Sequence, residues 1–227
     1  MSKSSKLKKT LLDTEKQVRK ISVKHNKDLW RAYNLVGKVI YTLVDLSSRE
    51  PTNITESTSN RVSLTANMIQ SYSLVEYLIS SGSYWAASAV LRQHMETLAR
   101  IIEYRTGNNK QDKKPPNVKN LPFNMTRNYG RLSQLCHTSG GEVLNDFSIS
   151  EAGEGIASPV PIFREEWAEI YFSLHIAHML SLAIEIFYLH KELYPDTELI
   201  DIDRDTMRIA RILVKTGFWK DFKKSKS

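Results

Sequence analysis

Arg131 and His137 stand six residues apart in the stretch Tyr129-Gly130-Arg131-Leu132-Ser133-Gln134-Leu135-Cys136-His137. An imidazole gives or takes a proton near neutral pH. A guanidinium forks onto phosphate oxygens and stabilises charge that develops there. Such a pair is chemically sufficient to cut RNA by attack of its own 2′-hydroxyl, with no metal. A second pair, Arg92 and Glu96, lies at i and i+4 on an apolar helix, between Trp85, Ala89 and Ala99. If that helix is buried, the two charges must neutralise each other. They then form either a structural ion pair or a support in which Arg92 points into the cleft of His137 and Glu96 orients it.

Spacing limits the first pair. Six residues of regular helix turn through about 600°, ~240° beyond a full turn, so the two side chains do not share a face. They converge if the helix ends before His137 or if the pair works across a dimer interface, and Ser139-Gly140-Gly141 favours an early end. Other candidates carry less. His175 and His178 are i, i+3 neighbours on a stripe with Tyr171 and Leu182, but the Glu-x-x-His pairs of di-metal helical proteins are missing. His94 falls on an apolar stripe, as a core histidine does. Cys136 beside His137 has no suggested orienting partner and reads as a buried thiol. Neither a metal nor a cofactor is expected: the chain has one Cys and no Rossmann or P-loop glycine pattern.

The elements that must position these residues are helices. Apolar residues recur at helical spacing over 28–47, 59–80, 83–104, 124–137, 163–193 and 203–215, with a charged amphipathic helix or arm over 5–24. Gly82 suits the residue after the second of these, Pro195 ends the long one, and Asp203 suits the N-cap of the last. The pattern predicts an all-α fold, an antiparallel bundle of five or six helices with almost no strand. The expected organisation is a basic arm over 1–26, a helical domain over 27–217 and a basic tail over 218–227.

The chain of 227 residues carries a formal charge of +7, which suits a polyanionic partner. The charge is uneven. Residues 3–38 are rich in Lys and Arg, the tail carries Lys220, Lys223, Lys224 and Lys226, and 139–160 carries Glu142, Asp146, Glu151 and Glu154 with no base. The single Cys rules out a disulfide framework and fits a reducing compartment. The basic N-terminus lacks the apolar core of a signal peptide, and no apolar run approaches a membrane span. The expectation is a cytoplasmic protein that does not engage a membrane.

The chain also resembles a known group. An apolar helix carrying Ala86-Ala87-Ser88-Ala89-Val90-Leu91-Arg92-Gln93-His94-Met95-Glu96-Thr97-Leu98 is followed by a polar loop. Then come a Tyr-x-x-Leu-Ser-x-x-x-His segment (Tyr129, Leu132, Ser133, His137) and a long apolar helix. Over roughly residues 60–193 this is similar to HEPN-like helical proteins of bacterial genomes. The resemblance implies a helical bundle, often dimeric. Active members are metal-independent endoribonucleases of toxin–antitoxin, abortive-infection and other defence systems, using an Arg, a short spacer and a His. By position, Arg131 and His137 would be the catalytic pair, with Arg92 and Glu96 in support and RNA as the partner. Non-catalytic members bind partners, so a helical adaptor for a protein or nucleic acid is the alternative.

Overall fold

The computed structural model describes residues 2–46, 50–108, 114–123, 125–137, 158–196 and 202–219. Most of the acidic stretch 139–160 and of the basic tail lies outside the described residues. The protein is all-helical, with no strand among the described residues. In chain order the helices are α1 (Lys3–His25), α2 (Lys27–Asp45), α3 (Glu56–Gln70), α4 (Tyr72–Ser80), α5 (Tyr84–Thr106), α6 (Tyr129–Cys136), α7 (Glu165–Leu193) and α8 (Asp203–Lys215). Short 3₁₀ turns at Val118–Asn120 and Met125–Asn128 lead into α6.

This is more than the five or six helices expected, and a local interaction accounts for one break. The apolar pattern over 59–80 is a single run, yet the helix stops at Ser71. The Ser71 hydroxyl lies 2.9 Å from the carbonyl oxygen of Met68 and 2.7 Å from His94 Nε2. A serine that bonds the preceding turn competes with the helix ladder, and here the resulting bend lets α3 and α4 both lean on α5. Asp203 is not the cap of α8: Ile202 holds that position and Asp203 opens the first turn, where its charge suits the helix dipole. At α3, Thr55 and Thr58 form a reciprocal capping box. Gly82 ends α4 at φ +83°, and a Cβ there would meet the Ile162 carbonyl oxygen at 2.9 Å, so only glycine fits.

α7 is the axis. It packs against α2, α3, α4 and α5, and its buried positions run round its whole circumference. By length and composition alone it could cross a membrane, but 83% of its most apolar window is buried inside the protein. It has the environment of a core helix. α2 bridges α7 and α8 through Leu29, Tyr33, Val36, Ile40 and Leu43. α1 packs through its C-terminal half only, where Val18 and Ser22 are buried and Arg19 reaches Glu76 at 2.9 Å.

Three histidines meet in the interior. His94 of α5 and His175 and His178 of α7 are buried, with the His94 ring 6.1 Å from that of His175 and 6.2 Å from that of His178. His94 bonds Ser71 and His175 bonds the Tyr72 carbonyl oxygen at 3.1 Å, whereas neither ring nitrogen of His178 has a hydrogen-bond partner among the described residues. Burial pushes His94 down to about 4 and, with the neighbouring His94, His175 down to about 3; burial drives His178 far below the ordinary value. These rings are neutral in the folded protein and take up protons on unfolding below pH ~6.5. Their contribution to stability is thus present above that pH and is lost as pH falls toward about 4. The melting temperature should hold near pH 7 and fall steeply between ~6.5 and ~4. His178→Leu should stabilise the protein at pH 7 by about 1–3 kcal/mol and shrink the acid loss. An identical acid loss in variant and wild type, measured by thermal melts at pH 5 and 7, would show that the His178 imidazole is not among its sources.

Candidate functional site

α6 is only two turns long and lies across α5, anchored by Leu132 and Leu135, which are buried. This contact brings three of the four sequence-predicted residues together. Arg92 Nε lies 3.1 Å from Glu96 Oε1, and Arg92 Nη1 lies 3.2 Å from His137 Nε2. Arginine only donates, so Nε2 of His137 accepts from it. The cluster has a fourth member that sequence reasoning did not single out as functional. The Tyr129 hydroxyl donates to Glu96 Oε1 at 2.7 Å, and the Arg92 guanidinium sits 5.7 Å from the centre of the Tyr129 ring. Burial, followed by the bond to Glu96, raises the Tyr129 phenol above its ordinary value. Partial burial works against the Arg92 charge, but Tyr129, Glu96 and Cys136 outweigh it and hold the guanidinium firmly protonated.

Arg131 is placed elsewhere on α6. Its guanidinium carbon lies 3.8 Å above the ring of Trp167, near the start of α7, a close cation–π contact. The early helix end does not rotate His137 toward it. α6 stops at Cys136, but the His137 N–H still bonds the Ser133 carbonyl oxygen at 3.1 Å, so His137 stays on the helical path. The separation of ~120° between the two directions therefore persists: His137 faces α5 and Arg131 faces α7. Beneath Arg131 the Tyr171 phenol lies 2.6 Å from the Ser88 hydroxyl, raised by burial and held back by that bond and by the Arg131 charge.

Other polar side chains nearby have structural partners. Arg127 is committed to the Phe218 carbonyl oxygen at 2.8 Å. Glu185 pairs with Arg105 at 2.8 Å. Cys136 is half-buried beside Arg92. Among the described residues no group of three His, Cys, Asp or Glu side chains is placed to hold a metal ion. No family model matches the chain, and neither a curated protein nor a solved structure matches it.

The exposure of the Arg92–Glu96 pair decides how it should behave. Its side chains are 23% and 30% exposed, and His137 and Arg131 are exposed, so the cluster opens to solvent rather than lying in the core. A pair at such a rim contributes roughly 1 kcal/mol or less, against ~3–5 kcal/mol for breaking a buried pair. Arg92→Ala should therefore lower stability by no more than about 1–2 kcal/mol in urea unfolding. A loss of several kcal/mol would make the cluster a structural network.

Proposed function

We propose that the protein is a HEPN-like, metal-independent endoribonuclease or toxin-type effector, acting as a homodimer on RNA. The observation that carries this reading is the solvent-facing contact between Arg92 and His137, buttressed by Glu96 and Tyr129. It sets a titratable imidazole beside a fixed guanidinium, with the carboxylate spent on orientation.

In this reading the substrate's phosphate replaces His137 on Arg92, and the Nε2 lone pair so released lets His137 move the proton: it removes it from the RNA 2′-hydroxyl or delivers it to the departing 5′-oxygen. A scissile phosphate beside His137 takes the free donors of Arg92, which stabilise the extra charge of the pentacoordinate state. Glu96 and Tyr129 keep the Arg92 fork from swinging into solvent, which lowers the cost of orienting it. Arg131, held flat on Trp167, is the phosphate clamp of the neighbouring nucleotide or of the second copy's site. Reactants and products differ only in which oxygen the phosphorus holds and where one proton sits, so no external co-reactant is required.

One observation favours a second reading, a non-catalytic helical adaptor for a protein or nucleic-acid partner. Leu132, directly after Arg131, is 1% exposed and belongs to the core. The position beside the arginine thus offers no polar group to a substrate.

Purified protein should cleave total RNA in the presence of EDTA. His137→Ala should lower that cleavage by roughly 10²–10⁴-fold, the usual range for loss of a general acid–base, with its melting curve little changed. A wild type that leaves RNA intact, or a His137→Ala variant that cuts as well as wild type, would count against the nuclease reading.

A further inference from the structure

Lys16, Lys20 and Lys24 recur at four-residue steps along α1, and Lys27 follows three residues later. On a helix these positions fall within a sector of about 80°. Asn26, at φ −95° and ψ 38°, breaks the helix before Lys27, yet Lys27 lines the same groove as the three lysines of α1. The four ammonium groups border an open groove of about 580 Å³ that also takes in Arg19 and Val23.

The positive charge of the groove is that of its four lysines: Glu76 neutralises the Arg19 of the groove, and the other nearby acids are engaged elsewhere. Glu76 holds Arg19, Glu15 accepts from Tyr77, Asp28 pairs with Lys215, and Glu165 pairs with His25. Asp13 does not line it. All four lysines are exposed, and none makes an ion pair with another described residue. A row of like charges at i, i+4 costs a helix a few tenths of a kcal/mol per pair, so the arrangement does not serve folding. From Lys16 to Lys27 it extends ~16 Å, longer than a single small anion needs.

The partner that matches is a chain of regularly spaced negative charges. A membrane surface fits poorly, because a helix lying in lipid presents large apolar side chains beside its lysines. The exposed apolar side chains bordering the lysine face are Leu12 and Val23; Leu7 and Ile21, also exposed, fall elsewhere round the helix, and Val18 is buried against the rest of the protein.

We propose that the Lys16–Lys20–Lys24–Lys27 face of α1 binds the phosphodiester backbone of single-stranded RNA as a docking groove separate from the His137 cluster; the identity of the polymer rests on the ribonuclease reading. The test uses the full-length His137→Ala protein and a fluorescein-labelled, unstructured 20-nucleotide RNA, with anisotropy read over a series of KCl concentrations in EDTA. Four phosphate contacts predict that log K falls against log salt with a slope of about −3. Lys20→Glu/Lys24→Glu should weaken binding at least ~10-fold and flatten the slope by ~1.4. Lys8→Glu/Lys9→Glu makes the same change of charge on the same helix outside the groove and should do far less. Thermal melts of both variants should match the parent, since all four positions are exposed.

Equal loss in the two variants would reduce the effect to net charge and overturn the proposal. Absence of RNA binding, or binding only to phosphatidylserine vesicles, would overturn it as well. The fates of the two readings separate: RNA binding lost in Lys20→Glu/Lys24→Glu with no cleavage by wild type leaves the groove standing and removes the nuclease. Cleavage by the His137-intact protein with unchanged kcat/KM in the groove variant removes the groove and leaves the nuclease.

Discussion

α7 buries residues around its full circumference, so it cannot sit at a surface. It has to be sheathed, and α2, α3, α4 and α5 supply the sheath. Each of these helices then needs one apolar face toward α7 and is free to be polar elsewhere. α2 meets that requirement with a sharply two-sided pattern. α3 and α4 meet it by bending at Ser71 so that both segments reach α5 and α7. α5 is more heavily used, with α7 on one side, α3 and α4 on a second and α6 on a third. The face of α5 that still reaches solvent carries Trp85, Ala89 and Gln93, with Arg92 and Glu96 half-buried beside them.

The candidate site follows from that crowding. α6 is too short to be stable in isolation, and Leu132 and Leu135 fix its position against the core. Once they are buried, helical geometry delivers Tyr129 and His137 onto α5 and turns Arg131 toward Trp167. The guanidinium of Arg92 is then bounded by a carboxylate, a phenol and an imidazole. It is half-desolvated, which strengthens its electrostatic reach compared with a fully hydrated arginine, yet it keeps a face open to solvent.

Much of the fold was legible because periodicity reports burial directly. The long apolar run from Phe163, the break at Pro195 and the glycine at 82 each correspond to a feature of the structure. The division at Ser71 was hidden, because it depends on His94, which stands 23 residues away. The pairing of Arg92 with Glu96 is local and could be read from an i, i+4 spacing. The meeting of Arg92 with His137 was open as one of two alternatives, since helix spacing says which residues share a face of one helix but not which faces of two helices oppose. Tyr129 was missed for that reason. Its phase relative to Leu132 put it on the α5 side of α6, and that was the available signal. Arg131 was paired with His137 on the expectation that an early helix end could bring them together, whereas the Ser133 carbonyl keeps His137 on the helical path and the angle set by their spacing stands.

The bonds around Ser71 and Tyr72 fix more than the bend. The Tyr72 carbonyl oxygen only accepts, so His175 Nε2 donates to it and this ring is held as the Nε2–H tautomer, with a bare Nδ1 lone pair inside the protein. A proton added to that lone pair places a charge in an apolar interior, so uptake waits on water reaching the ring when α4 parts from α7. Proton uptake by His175 therefore reports how often the core opens.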